Sequence, residues 1–265
     1  MDVVTRPKQE YYQRADAQMD RHLPASSSYS IQDKIVLTCR MLADDGHASG
    51  LAGQITTRGE TPNTFWTQRF GLGIDEISAD NLILVDEDLN VLEGSGMPNP
   101  ANRFHAWIYR ARPHVKCIIH THPFWCSALS MLEEPLVVSH MDTTALFDDC
   151  AFLPSWPGVP FGDEEGRLIS EALGDKRAVL LTHHGQLVAC REIEEAAVLA
   201  MTIEKAAKLQ MAARASGTIK PIEPEFGREA HAFKLKPRSY NAWFAYYARK
   251  TLKRDPDCLN RMPST

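Results

Sequence analysis

The residues of this chain best suited to chemistry are histidines, and two groups of them follow short apolar runs. The first, His120-Thr121-His122, closes the β-branched stretch 115–122 (VKCIIHTH). Alternate residues of a strand share a face, so the two imidazoles stand one strand repeat apart while Thr121 points the other way. Two such rings can chelate one metal ion. Pro123 removes a ladder donor and ends the strand, which puts the pair at a strand end, where ligand sites open. The second group, His183-His184-Gly185, follows the apolar run 179–182 (VLLT). If the two strands lie near one another, either His183 or His184 can supply a third nitrogen. Three imidazoles with open positions make a catalytic geometry for zinc or another divalent ion. Imidazole suits Zn, Co, Ni, Cu and Fe, whereas Mn and Mg normally favour carboxylates.

Such groups need a sheet with helices packed against it. Ser30 is placed to cap a helix running to Leu42, with Asp33 three residues on. Strand-like pieces follow at 54–58, 64–67, 82–85 and 91–92, and the turn chemistry of DEDLN between the last two predicts a hairpin. Asn99 and Pro100 start a helix over 101–112, which stops before Pro113 because the residue preceding a proline is biased away from helix. A short helix is expected over 123–131, a long Ala-rich one over 193–216, and a last one over 240–252. Hairpin signals among alternating helices and strands predict an α/β fold, a single-domain three-layer arrangement with a mixed or antiparallel sheet.

Composition bounds the rest. A chain of 265 residues with 44% hydrophobic and 24% charged content is an ordinary globular protein, not a disordered or low-complexity one. A net charge of -5 leaves no overall electrostatic footprint for nucleic acid. No apolar run approaches the roughly 20 residues that cross a bilayer, so no membrane association is expected. The polar N-terminus lacks the apolar segment of a secretory signal, and the six scattered cysteines read as reduced thiols, so a cytoplasmic location is expected.

The run 99–130 (NPANRFHAWIYRARPHVKCIIHTHPFWCSALS), the run beginning LLTHHGQLVACREIEEAA and the upstream FWTQRFGLGIDEISADNLILVD together resemble the class II aldolase/adducin family. The likeness covers about residues 30–222, which sets the expected domain. Residues 1–29 are then a peripheral N-terminal segment, and 223–265 a tail whose helix packs on the domain or on a neighbouring subunit. The resemblance implies a central, largely antiparallel sheet and a homotetramer with active sites near subunit interfaces. It also implies one divalent metal ion per subunit, zinc first with Mn, Co or Mg as alternatives, held by His120, His122 and His184. His183 stands where the family usually has asparagine. The sugar-phosphate aldolases of the family carry a glutamate base four residues before the histidine of the following helix. Counting back from His105 lands on Ala101, so NPANRFH resembles the adducin-like branch. Gly53-Gln54 and Pro98-Asn99-Pro100 likewise stand in place of the family's phosphate-binding patterns.

A divalent ion with open positions can chelate a 2-oxo acid and act as a Lewis acid on a developing enolate. The first expectation is therefore a lyase, an aldolase acting on 4-hydroxy-2-oxo acids with a small 2-oxo acid and an aldehyde as its partners. The second is a decarboxylase of a hydroxylated aromatic or heteroaromatic acid. The third is a non-catalytic adducin-like interaction module. For the base, water made acidic by the cation ranks first and His183 is the catalytic side chain considered. Arg69 is the expected clamp for a substrate carboxylate. Gln54 and His47 are expected either to line the pocket or to serve as scaffold, and Gly71 and Gly73 either to allow backbone approach to ligand or to form the turn. His105 is assigned to the core or to support of the site.

Overall fold

The computed structural model describes residues 4–260. Its strands are β1 (Gln54–Arg58), β2 (Thr64–Gln68), β3 (Leu82–Asp86), β4 (Val91–Glu93), β5 (Cys117–Thr121), β6 (Cys150–Leu153), β7 (Ala178–Leu181) and β8 (Gly185–Cys190). They form one eight-stranded sheet in the order β4-β3-β2-β1-β5-β8-β7-β6. Every neighbouring pair is antiparallel except β6 and β7. The helices are α1 (Lys8–His22), α2 (Ile31–Asp44), α3 (Asn102–Ala111), α4 (Phe124–Ser130), α5 (Asp163–Leu173), α6 (Ile193–Arg214), α7 (Pro224–Lys234) and α8 (Pro237–Arg254).

Strand alternation sorts the core into two clusters. Cys117 and Ile119 of β5 pack with Leu42 of α2, Leu129 of α4, Ala200 and Ile203 of α6 and Phe244 of α8. Ile118 faces the other way, into Phe104 and Ile108 of α3 and Ile169 and Leu173 of α5. With both faces covered, the central strands read as continuous apolar runs rather than alternating ones. The result is a helix–sheet–helix sandwich with a largely antiparallel sheet, as the sequence and the resemblance predict. No helix among the described residues is long and apolar enough to cross a membrane. All six cysteines are free, and those inside the core have thiol pKa values pushed up by burial.

Ser30 caps α2 as expected, its hydroxyl accepting from the Asp33 N–H at 3.1 Å. The start of α3 differs. Asn99 makes a turn, its side-chain oxygen accepting from the Ala101 N–H at 3.0 Å, and the helix begins at Asn102. Five elements lie outside the sequence expectation: α1, α5, α7, β6 and β8. The polar α1 buries none of its residues and so offers no periodic apolar signal. β8 begins at Gly185, directly after the turn at 182–184, and is recognisable only from its partners.

The first turn of α4, which follows directly on His122-Pro123, is tied to α6 by one side chain. Glu204 is buried and accepts from the N–H groups of Trp125 and Cys126 at 2.9 and 2.8 Å. Burial pushes its carboxyl pKa up, and the two N–H bonds pull it back. Glu204→Ala strands both donors without an acceptor, a loss of about 2–4 kcal/mol. A urea titration of the variant is expected to show that loss as a lower midpoint with an unchanged slope.

Candidate metal centre

β5 runs through the middle of the sheet, and its register builds the site. His120 pairs with Gln54 of β1 on one side and with Leu187 of β8 on the other, while Thr121 pairs with Gln186. Paired residues share a face, so His120 stands on the α3 side and Thr121 on the α6 side. β7 and β8 form a hairpin closed by Leu181 and Gly185, with residues 182–184 as its turn. That turn overhangs the end of β5 and carries His184 to the other two rings. The centroids of His120, His122 and His184 lie 4.7, 4.6 and 4.6 Å apart. One ring nitrogen from each lies within 4.8 Å of the others, the only such grouping of metal-type ligands among the described residues.

The chemistry of this donor set fits a divalent cation. The Gln186 carbonyl lies 2.8 Å from His120 Nδ1. A carbonyl oxygen only accepts, so Nδ1 carries the proton and Nε2 keeps its lone pair for the site. His122 Nε2 stands 2.9 Å from that nitrogen. The Phe104 ring packs edge-on against His120 at 5.2 Å and fixes its plane. Burial lowers all three imidazole pKa values. His120 is held well below its ordinary value, with added repulsion from the other two rings. His122 is lowered, and His184 is brought to about 4. Near neutrality the rings are therefore uncharged, the state a metal ligand requires.

A polar lock behind the strand holds the first ring. Gln186 Nε2 donates to Thr121 Oγ1 at 3.1 Å and to the Ala200 carbonyl at 3.2 Å. Thr121 Oγ1 also lies 2.9 Å from Nδ1 of the fully buried His47. The carbonyl of Gln186 that orients His120 is thereby tied to α6. Sequence reasoning placed Thr121 on the opposite face and found neither Gln186 nor Phe104, because no spacing rule marks a residue that acts through a strand partner.

The other candidate residues divide. Gln54 is buried beside His120 in register, and its Oε1 has no hydrogen-bond partner. His183 is not with the triad. Its backbone is left-handed, with φ 54°, and its N–H donates to the Ser130 carbonyl. Its ring, in a side chain 43% exposed, lies 2.9 Å from Glu133 Oε1. The backbone reverses at His183 rather than at Gly185, which sends two adjacent histidines in different directions. Arg69 follows β2, two strands from His120, and lines a separate cavity of about 430 Å³ with Arg40 and Asp255. Gly71 is exposed with φ 97°, and a Cβ there would meet nothing within 4 Å. Its glycine serves conformation, with no close approach to require it. His105 is core, its Nδ1 2.8 Å from Thr56 Oγ1, which is in turn 2.9 Å from the Tyr109 hydroxyl. Ala101 sits at the N-cap of α3 and is buried.

Gly185 is required by close approach. A Cβ there would sit 2.5 Å from the Thr121 carbonyl oxygen and 2.8 Å from His122 Cδ2. Gly185→Ala is expected to displace the His122 ring and weaken metal binding at least about tenfold, since loss of ligand orientation costs 10- to 100-fold. Competition against a chromophoric chelator measures it, with circular dichroism as the check on folding.

The family model for the class II aldolase and adducin N-terminal domain matches residues 33–211. The decarboxylase NovR of Streptomyces niveus is 29% identical over 222 residues, covering 81% of this chain and 81% of that protein. An L-fuculose phosphate aldolase of Escherichia coli O6:H1 (strain CFT073) is 29% identical over 185 residues, covering 67% of this chain and 81% of the relative. The solved structure of the L-fuculose 1-phosphate aldolase from Glaciozyma antarctica PI12 superposes with a TM-score of 0.79 at 27% identity, over 87% of this chain and 92% of that one.

Proposed function

The chain belongs to the class II aldolase and adducin family, and on that premise we propose that it is a divalent-metal-dependent carbon–carbon lyase that cleaves 4-hydroxy-2-oxo acids to a pyruvate-type enolate and an aldehyde. One observation carries the reading: three imidazoles from two distant stretches of chain converge on a point at the end of β5. His120, His122 and His184 would hold the ion, with zinc first on the strength of an all-nitrogen donor set. When bound, such a cation supplies a Lewis acid to the oxygen on which enolate charge develops.

The chain's own groups do the rest. Gln186 and Phe104 fix the His120 ring. Gln54 offers a buried amide to the substrate from the same face. His183, paired with Glu133, is the side chain proposed to handle the hydroxyl proton. Residues 30–222 form the catalytic domain in this reading, with 1–29 peripheral and the 223–265 tail packed on it or on a neighbour in a cytoplasmic homotetramer.

A second reading has a specific observation in its favour. Position 101 holds alanine, and among the described residues no carboxylate joins the triad. Aldol cleavage needs a base to remove the hydroxyl proton, whereas loss of CO₂ leaves its electron pair in the enolate without one. The similarity to the Streptomyces niveus decarboxylase, over 81% of this chain, points the same way.

The test is deuterium exchange of the pyruvate methyl group, followed by proton NMR. The aldolase reading expects exchange that stops on chelation and returns with metal. CO₂ release from a hydroxylated aromatic acid, with no aldehyde and no pyruvate exchange, replaces it by the decarboxylase.

A further inference from the structure

A second cavity, of about 530 Å³, lies along the outer side of α6 between α4, α7 and α8, and none of the three histidines lines it. Its volume is within the range of small-molecule sites. One wall is aromatic. Trp243 and Tyr247, one turn apart on α8, stack with centroids 6.0 Å apart, and Trp125 of α4 faces the same space. Trp243 is 50% exposed and the neighbouring Phe124 71%, an unusual cost for aromatic rings that serve only the core.

The rim is cationic. Lys205, Lys208 and Lys234 all reach the cavity. Lys205 is paired with Asp142 at 2.5 Å. Lys208 makes no hydrogen bond or ion pair among the described residues. Lys234 is half-buried; it donates to the Asp142 carbonyl at 3.0 Å and also feels the charge of the Asp142 carboxylate, which Lys205 holds. Burial, the largest influence, lowers the pKa of its ammonium. Of the acidic groups in the lining, two are committed elsewhere. Glu204 holds the α4 N–H groups, and Glu195 is bonded to Arg177 and to the Arg191 N–H. Asp45 is turned toward His47 Nε2 at 3.7 Å. Three ammonium groups that share one facing carboxylate, Asp142, with Lys208 unpaired beside a stacked aromatic wall, are complementary to an anion carried on a flat apolar body.

We propose that this cavity is a second ligand site, binding a planar aromatic carboxylate with its ring on the Trp125–Trp243–Tyr247 wall and its charge at the Lys208 and Lys234 rim. The site is independent of the lyase chemistry. It nonetheless touches the first turn of α4, two residues after His122, so its occupant contacts the element that follows the metal centre.

The probe is 2-naphthoate, titrated into the full chain while tryptophan fluorescence and heat are followed. Saturable one-to-one binding is expected, with cyclohexanecarboxylate at least tenfold weaker. The double variant Lys208→Gln/Lys234→Gln should weaken binding at least tenfold, and Trp243→Leu about as much. His184→Ala, at the metal centre, should leave it unchanged, which separates failure here from failure of the lyase assignment. The rim lysines and Trp243 are exposed or half-buried, so these variants are expected to fold, with circular dichroism as the check. The proposal is overturned by absence of saturable binding, by binding indifferent to the lysine and tryptophan changes, or by binding lost in His184→Ala. It is also overturned if wild-type protein self-associates and Trp243→Asp alone makes it monomeric, since the cavity is then a subunit contact.

Discussion

His184→Ala is expected to purify without stoichiometric metal and to lose lyase activity by about 10³-fold, the scale on which a single electrostatic group at a reacting oxygen acts. The reasoning is geometric. His120 and His122 come from one stretch of chain and can offer two nitrogens, but closure of the ligand set depends on the hairpin turn that brings in the third. With His184 removed, the remaining pair leaves a site that water and chelators reach. The residue lies in a turn, outside the strand ladders, so the sheet should survive the change. Elemental analysis after gel filtration, beside the far-ultraviolet spectrum, checks both parts. Retention of one metal per chain in a folded His184→Ala protein would mean that the triad is not the binding site.

The second large effect is on acid stability. His105 is fully buried and its pKa is pushed down to about 3 by desolvation. Unfolding exposes it to water, where it takes a proton below about pH 6.5. Between these two values the unfolded chain binds the extra proton and the folded chain does not. Stability is therefore fully present above about pH 6.5, falls as pH falls, and stops falling near pH 3. Each pH unit in that window costs about 1.4 kcal/mol for one such histidine. The lowered pKa values of the triad act in the same direction in metal-free protein. Urea unfolding of chelator-treated protein at pH 7.5, 6.0 and 5.0 should show a steep decline. His105→Leu should make the slope shallower by about one proton while removing one of the two partners of the Thr56 hydroxyl. An unchanged slope in that variant would show that His105 takes up its proton in the fold as readily as in the unfolded chain.

Much of the scaffold was legible because its signals are local. The Ser30 cap, the β3–β4 hairpin, the stop before Pro113 and the Ala-rich α6 each follow from residues within a turn or two of one another. The elements that escaped notice carry no such mark. α1 has no buried face, and β6 and β8 are strands by virtue of what lies beside them. The same divide runs through the site. Adjacent histidines 183 and 184 look equivalent in a string of residues, and the family resemblance singled out the second. A left-handed backbone at His183 separates them physically, and nothing in HHG announces which residue adopts it.

The pairing of His120 with His122 needed nothing beyond the chain itself, since strand alternation puts residues two apart on one side wherever the strand lies. The convergence of His184 on that pair belonged to the tertiary structure. It depends on β8 docking beside β5 with Thr121 opposite Gln186, and a slip of one residue would turn the Gln186 side chain from α6 to the opposite face of the sheet and change which carbonyl meets His120. That register is set by burial of Leu187, Val188 and Ala189 against two different helix layers, a free energy summed over contacts far apart in sequence.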